Sequence, residues 1–158
     1  MFNKQAMAEC LVAIISAKLV TDGDNLAKEG QNVIETPPCR EDDPDTTRYE
    51  RSYVCDEKHS MHTTWLNALR KLKKIIPYLG ISNTGLINVG SVFRLSNMSK
   101  DEQFYFIVPD QGGISFDYEN HAITTVSVSA PIAQLVMGKE KDDLIVFIGR
   151  EHQILETF

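Results

Sequence analysis

Apolar residues recur at helical spacing through the first part of the chain. A seven-residue repeat with one further apolar position inside it is typical of a coiled-coil seam, and it predicts a helix over residues 3–35. The series consists of Val12, Ile15, Leu19, Leu26 and Val33. The weak point of this helix is TDGD at 21–24, because glycine costs about 1 kcal/mol in a helix and aspartate favours caps. If the helix bends or restarts, we expect it to do so there.

A second stripe alternates three- and four-residue steps and predicts a helix from about Thr46 to Ile76. Its members are Val54, Lys58, Met61, Trp65, Ala68, Leu72 and Ile75. Pro37 and Pro38 end the first helix, since the residue before a proline is pushed out of helical geometry. Two helices joined by a short turn lie antiparallel, so this part of the chain predicts a helical hairpin.

After Gly80 the hydrophobic period changes from helical spacing to two. Pro131 and Gly138 frame one short helix at about 131–137. Strands are predicted at 91–95, 103–108, 122–128, 144–148 and 153–157. The fold class is therefore α+β, with two domains: an N-terminal antiparallel helical hairpin in 1–80, and an antiparallel sheet with a short helix in 81–158.

Composition narrows the functional classes. The chain has 158 residues and a net charge of −6, which argues against a broad electrostatic grip on naked nucleic acid. Three cysteines without metal-site spacing predict reduced thiols and a cytoplasmic protein: Cys10, Cys39 and Cys55. The apolar run at 10–17 is too short to span a bilayer and follows a poor signal-peptide n-region, so we interpret it as helix core and predict no membrane association.

The turn between the two predicted helices is strongly acidic. Residues 40–46 read REDDPDT and place the carboxylates of Glu41, Asp42, Asp43 and Asp45 within five consecutive positions. Such a run repels itself, so the solvated tip of a hairpin is a favourable place for it. The same oxygens are the hard ligands that Mg²⁺ prefers. The residues alone leave both interpretations open, a solvated loop and a metal-binding tip.

Two further clusters each have a plain and a functional interpretation. The basic run at 70–74 is either a solvated face at a helix C-terminus or a patch for a partner. Met61, His62 and Trp65 are interpreted as ordinary hairpin contacts rather than a cofactor site. For the arginines that flank the acidic turn, contact with RNA or a partner and simple solvation are equally open: Arg40, Arg48 and Arg51.

The segment AITTVSVSAPIAQLVMGKEKDDLIV at 122–146 resembles a signature of the bacterial Gre transcription elongation factors. Residues 83–95 resemble the linker and first strand of the same family. In Gre factors the signature lies in a C-terminal domain whose fold is similar to FK506-binding proteins. The resemblance therefore implies an FKBP-like C-terminal domain in this chain.

The resemblance extends to the acidic turn. The family tip has the pattern D-x-x-E-N-A-E-Y, and the spacing between Gly90 and Tyr49 matches the family spacing. In this register the aspartate of the pattern falls on Asp42 and its glutamate on Asp45. Glu41 and Asp43 are then accessory acids of the tip.

Gre factors bind bacterial RNA polymerase at its secondary channel and bring the acidic tip to the active centre. The resemblance implies an accessory factor rather than an enzyme, which stimulates the polymerase to cleave its own transcript in backtracked complexes. Asp42 and Asp45 would share Mg²⁺ with the polymerase, bind none tightly alone, and meet the nascent RNA and template only indirectly. The polymerase-rim contact is implied for Ser129, Ala130, Pro131 and Ile132.

Departures from the family pattern motivate a second hypothesis. Asp45 replaces a glutamate and reaches one methylene less far, while Pro37, Pro38 and Pro44 stiffen the tip and two further acids add charge. Gre-like inhibitors with extra tip carboxylates exist, so occupation of the same channel without cleavage is the alternative. Two other classes stay open. One is an FKBP-like prolyl isomerase, although the sequence shows no aromatic-lined pocket, and the other is a hairpin module for a different partner.

Overall fold

In the part of the chain that the structure describes, two long α-helices come first, and a six-stranded sheet with one short α-helix follows. The computed structural model describes residues 3–35, 47–79, 85–97 and 102–158. The elements are α1 (Lys4–Glu35), α2 (Thr47–Ile75), β1 (Val92–Asn97), β2 (Glu102–Val108), β3 (Ser115–Tyr118), β4 (His121–Ser127), α3 (Pro131–Val136), β5 (Leu144–Phe147) and β6 (Arg150–Thr157). The predicted α+β class, with a helical hairpin ahead of a sheet, is confirmed.

Residues 13–69 form one compact unit, in which α1 and α2 run antiparallel. The Lys18 ammonium lies 4.9 Å from the centroid of the Trp65 ring, and the Lys58 ammonium pairs with the Glu29 carboxylate. As the residue number rises along α1, the number of its partner on α2 falls. The predicted hairpin topology therefore follows directly from these two contacts.

The predicted seam of α1 holds most firmly near its base. Ile15 and Leu19 are buried, whereas Leu26 and Val33 are only half-buried. The helix continues through 21–24 without the interruption that glycine and aspartate there favour. The Thr21 hydroxyl donates to the carbonyl of Ala17 at 3.2 Å, so this side chain makes its hydrogen bond within the continuous helix.

The predicted stripe on α2 coincides with buried or half-buried residues from Trp65 onward, but toward the acidic turn it is wrong by one position. Val54 and Met61 are exposed, and Met61 reaches 56% exposure. Their neighbours Cys55 and His62 are half-buried instead, and buried Leu69 continues this seven-residue series. The pattern ranks positions by hydrophobicity, so a histidine at an inner position is missed when an adjacent methionine competes for it.

A glycine in α1 gives the first testable prediction. A Cβ at Gly30 would meet nothing within 4 Å, and the residue lies inside the helix. Gly30→Ala should therefore raise the free energy of unfolding by about 0.5–1 kcal/mol, because alanine loses less backbone entropy. The measurement is urea denaturation followed by helical circular dichroism. Gly149→Ala is the control with the opposite expected sign, since Gly149 has φ +69°. A lower midpoint for Gly30→Ala would contradict the prediction.

Residues 1–12 and 70–158 form the second compact unit, built on the sheet. The strand order is β3-β4-β2-β1-β6-β5, and every neighbouring pair except one is antiparallel. The exception is β2 with β4, which pair in parallel from Phe104 with Ile123 to Val108 with Ser127. The predicted all-antiparallel sheet is corrected here. Strand patterns define strands but not which strands become neighbours, and the segment between β2 and β4 is long enough to cross over. The predicted domain boundary near residue 80 stays a prediction.

One strand was not predicted from the sequence. β3 has four residues, only Phe116 of which is buried, and it pairs with β4 through a two-residue turn. Glu119 and Asn120 both have positive φ, 50° and 64°, as a type I′ hairpin turn requires. The alternation around an asparagine-containing turn was the available signal.

Both faces of the sheet are buried around its central strands, β1 and β2. One face packs Phe93, Leu95, Ile107 and Ile154 beneath α3. The alternate residues on the other face, Val92, Phe106, Val108 and Ile123, are equally inaccessible. The ends of α1 and α2 in this unit contribute the buried Met7, Ala8, Leu11 and Leu72. Consecutive residues of β1 and β2 are therefore buried, as strands with two covered faces require. Within the described residues, neither helix combines the length and apolarity needed to cross a bilayer.

Candidate functional site

The predicted tip lies outside the described residues. This applies to Glu41, Asp42, Asp43 and Asp45, and also to Arg40 and Cys39. The proposed polymerase-rim segment, Ser129–Ile132, is described in full.

A short turn connects β4 to α3 and presents Ser129. The hydroxyls of Ser127 and Ser129 are 2.8 Å apart, and the Ser129 amide donates to the Ser127 hydroxyl at 3.2 Å. The Ala130 amide donates to the Ser127 carbonyl at 2.9 Å. Serine side chains form such local bonds readily at turns. Ser127 thus holds the turn while the Ser129 side chain remains exposed.

Pro131 begins α3 directly after this turn. Ala130 has extended φ and ψ values of −67° and 140°, and proline at the first helical position needs no amide donor. Pro131 is exposed, but Ile132 is only 7% exposed and belongs to the core beneath α3. Of the predicted contact residues, Ser129 and Pro131 are thus surface residues, Ala130 is half-buried, and Ile132 supports them from below.

The glycine loop before β3 lies against β4 close to this turn. A Cβ added at Gly112 would lie 2.5 Å from the backbone nitrogen of Ser127, so only glycine fits without displacement. Buried Thr125 holds the loop: its hydroxyl accepts from the Ile114 amide at 2.9 Å, and its carbonyl accepts from the Gly113 amide at 2.7 Å. The loop therefore packs against the backbone of Ser127, the residue that holds the turn.

An open cleft of about 450 Å³ lies beside α3 on the same face of the sheet. Its lining residues come from β1, β2, α3 and the β5–β6 hairpin: Leu95, Gln103, Tyr105, Ile132, Phe147, Ile148, Arg150 and His152. The sequence showed no aromatic-lined pocket, and this expectation is corrected. The aromatic side chains lie on separate strands, which only the sheet order brings together.

The cleft walls are fixed by ring contacts. Tyr105 stacks on Phe93 with ring centroids 5.4 Å apart, and Phe147 and His152 lie 6.3 Å apart. The Tyr105 hydroxyl donates to the side-chain oxygen of Gln103 at 2.5 Å. Burial raises the pKa of Tyr105 above its ordinary value, so this hydroxyl remains a donor at neutral pH.

The basic run at 70–74 is partly used inside the protein. The Lys71 ammonium lies 2.7 Å from the Asp110 carboxylate, and Leu72 is buried. Lys73 and Lys74 are exposed in the last turn of α2, where positive charge is favourable. Arg51 is exposed on the first turns of α2. This arrangement accounts for Lys71 without a partner molecule.

Met61, His62 and Trp65 line a groove of about 260 Å³ between α1 and α2 of the hairpin unit. Trp65 and His62 are half-buried, whereas Met61 is exposed. The Nδ1 atom of His62 is buried and, among the described residues, has no hydrogen-bond partner. Among the described residues, Cys10 and Cys55 are free thiols. In the described ranges, no group of three or more His, Cys, Asp or Glu side chains is placed to hold a metal ion.

No protein-family profile and no curated protein matches this chain. Among solved structures, it is similar to GreA factor homolog 1 (Gfh1) of Thermus thermophilus, with 14% identity over 93% of this chain and 94% of that one, and a TM-score of 0.36. Thermus aquaticus Gfh1 matches with 14% identity over 92% of both chains and a TM-score of 0.35. The prokaryotic transcription elongation factor GreA/GreB from Nitrosomonas europaea matches with 17% identity over 68% of this chain and 91% of that one, and a TM-score of 0.37. With TM-scores this low, the functional proposal rests on the residues of this chain.

Proposed function

We propose that the chain is a Gre-type accessory factor that binds bacterial RNA polymerase at its secondary channel and stimulates transcript cleavage in backtracked complexes. The observation that carries the proposal is the 122–146 segment, which resembles the Gre signature along its whole length. The geometry is consistent with a contact role, because Ser129 and Pro131 are surface residues on a turn held by Ser127.

In this proposal the hairpin delivers carboxylates to a reaction that the polymerase catalyses. Asp42 and Asp45 supply hard oxygen donors that fit Mg²⁺, and they lie at the positions that the family register assigns to the tip acids. A Mg²⁺ ion held there would stabilise the attacking and leaving oxygens of phosphodiester hydrolysis. The chain itself provides the donors and their placement, so it is an accessory factor and not an enzyme.

A second candidate is a channel-occupying inhibitor of the same type. It is favoured by the additional acids Glu41 and Asp43 and by the prolines around the tip. More negative charge in one short turn favours metal retention over the geometry that cleavage needs. The two candidates share a binding site and differ only in the effect on cleavage.

Binding tests what both candidates share. Purified bacterial core RNA polymerase is incubated with labelled chain, and an unlabelled Gre factor is added as competitor. We expect saturable binding that the Gre factor displaces completely. Binding that a Gre factor leaves unchanged would show that the chain does not occupy the secondary channel. Absence of binding to core enzyme and to elongation complexes alike would contradict the proposed function.

Ser129→Arg gives a prediction about the contact turn. A long charged side chain at this exposed position should block close approach and weaken polymerase binding by about tenfold, a loss of about 1.4 kcal/mol. Stability should change little, because the Ser129 side chain is exposed. Gln153→Arg is the matched control, since it adds the same charge at an exposed position on β6. Equal affinities for both variants would exclude a contact role for Ser129.

A further inference from the structure

We infer that the cleft beside α3 is a peptide-docking site for a partner segment that carries an apolar side chain next to a carboxylate. The site has an apolar base, which is continuous with the core beneath α3, and a rim that carries the charged side chain of Arg150. For the identity of the partner the inference rests on the proposed function, because Ile132 of the contact segment lines the cleft. For the chemistry of the ligand it rests on the cleft alone.

The shape of the cleft fits two or three residues of an extended segment. Its volume of about 450 Å³ is in the range of small-ligand sites. Leu95 and Ile132 are buried at its base, and Tyr105 and Phe147 are half-buried. Stacking on Phe93 fixes Tyr105, so the wall is preorganised. Preorganised aromatic walls lower the cost of binding an apolar side chain.

Ile148 lies at the lip of the cleft, the turn between β5 and β6, and its backbone conformation indicates that this lip serves a ligand. It is 82% exposed and has φ +52°, in the left-handed region. A β-branched residue there is strained by about 1–3 kcal/mol, and asparagine or glycine would be favoured by folding alone. Exposure of the side chain gives no compensating burial. Isoleucine at this position is thus unfavourable for folding but appropriate for an apolar contact with a partner.

The charge at the rim of the cleft indicates which charge the ligand carries. Arg150 and His152 project from β6 on the face of Ile154, and the described lining residues include no carboxylate. The positive charge of Arg150 at this rim contrasts with the net charge of −6 for the chain. Arginine recognises carboxylates through two parallel hydrogen bonds. The complementary ligand is therefore an apolar residue with an acidic neighbour, and not a basic or purely apolar segment.

The test uses two capped tetrapeptides that differ only in charge, acetyl-Glu-Leu-Phe-Glu-amide and acetyl-Lys-Leu-Phe-Lys-amide. Each is titrated into the full chain while amide nitrogen–proton correlation spectra are recorded. We expect the acidic peptide to shift amides at 103–105 and 147–152 with a Kd on the order of 1 mM. The basic peptide should bind about fivefold more weakly. Equal affinities, shifts confined to other regions, or no shift up to about 10 mM would overturn the inference.

Three variants make the test specific. Arg150→Glu should reverse the order of the two peptides. Ile148→Asn should weaken both peptides and raise the stability of the fold, because asparagine tolerates positive φ. Leu144→Asn is the control, since Leu144 is 62% exposed on the opposite face of the same hairpin and should leave both affinities unchanged. If the Ile148→Asn variant is more stable but binds both peptides as the wild type does, Ile148 does not contact the ligand.

The outcomes are separable from those of the proposed function. If the acidic peptide binds the cleft but the chain does not bind polymerase, the cleft stands and the proposed partner is wrong. If the chain binds polymerase but neither peptide shifts the cleft amides, the proposed function stands and the cleft inference is wrong.

Discussion

The Asp42→Ala/Asp45→Ala double variant is expected to lose stimulation of transcript cleavage by a factor on the order of 100 while still binding polymerase. Removing a group that stabilises developing charge at a reaction centre typically costs that much in rate. Binding should persist because the proposed rim contact, Ser129 to Ile132, lies far along the sequence from the tip. The measurement is the cleavage rate in a purified backtracked elongation complex at saturating protein.

Two further variants serve as controls for this result. Asp56→Ala/Glu57→Ala removes the same charge from exposed positions on α2 and should retain full activity. Asp45→Glu restores the residue type of the family pattern, so its longer reach should maintain or increase the rate. If the tip double variant stimulates cleavage as well as the wild type does, Asp42 and Asp45 do not have the assigned role.

Gly112→Ala is expected to destabilise the sheet unit by about 1–3 kcal/mol, the range for overpacking a well-packed site. The new Cβ would lie 2.5 Å from the Ser127 nitrogen and 2.9 Å from the Val126 backbone. β4 cannot yield easily, because it pairs with β3 on one side and β2 on the other. Thermal unfolding followed by near-ultraviolet circular dichroism measures the loss.

The same substitution should weaken polymerase binding, because Ser127 holds the turn that presents Ser129. Gly113→Ala provides the comparison. Gly113 has φ +87°, but a Cβ there meets nothing within 4 Å. It should cost about 1–2 kcal/mol of backbone strain and leave binding unchanged. Equal effects of the two alanines on binding would show that Ser127 does not position the turn.

Periodicity predicted most of the elements because each depends on local sequence. The two helices, the Pro131 helix and five of the strands follow from spacing and from proline and glycine positions. β3 was not predicted, because four residues with one buried side chain carry little periodic signal. The parallel pairing of β2 with β4 was not predicted, because strand order is a property of the assembled sheet.

Part of the candidate site was predicted from the sequence, and part of it became evident only in the structure. Ser129 and Pro131 were predicted from a contiguous segment, and the structure gives them a held turn and solvent exposure. The cleft was missed because Tyr105, Phe147 and Arg150 belong to different strands and share no sequence pattern. The positive φ of Ile148 was equally invisible, since isoleucine is a residue that disfavours it.

The most direct measurement is RNA cleavage in a purified, artificially backtracked bacterial elongation complex, with and without this protein, at several Mg²⁺ concentrations. We expect faster cleavage that depends on Asp42 and Asp45. Unchanged or slower cleavage, together with displacement of a Gre factor, would contradict stimulation and identify a channel-occupying inhibitor. No effect on cleavage and no competition would contradict the polymerase-channel account itself.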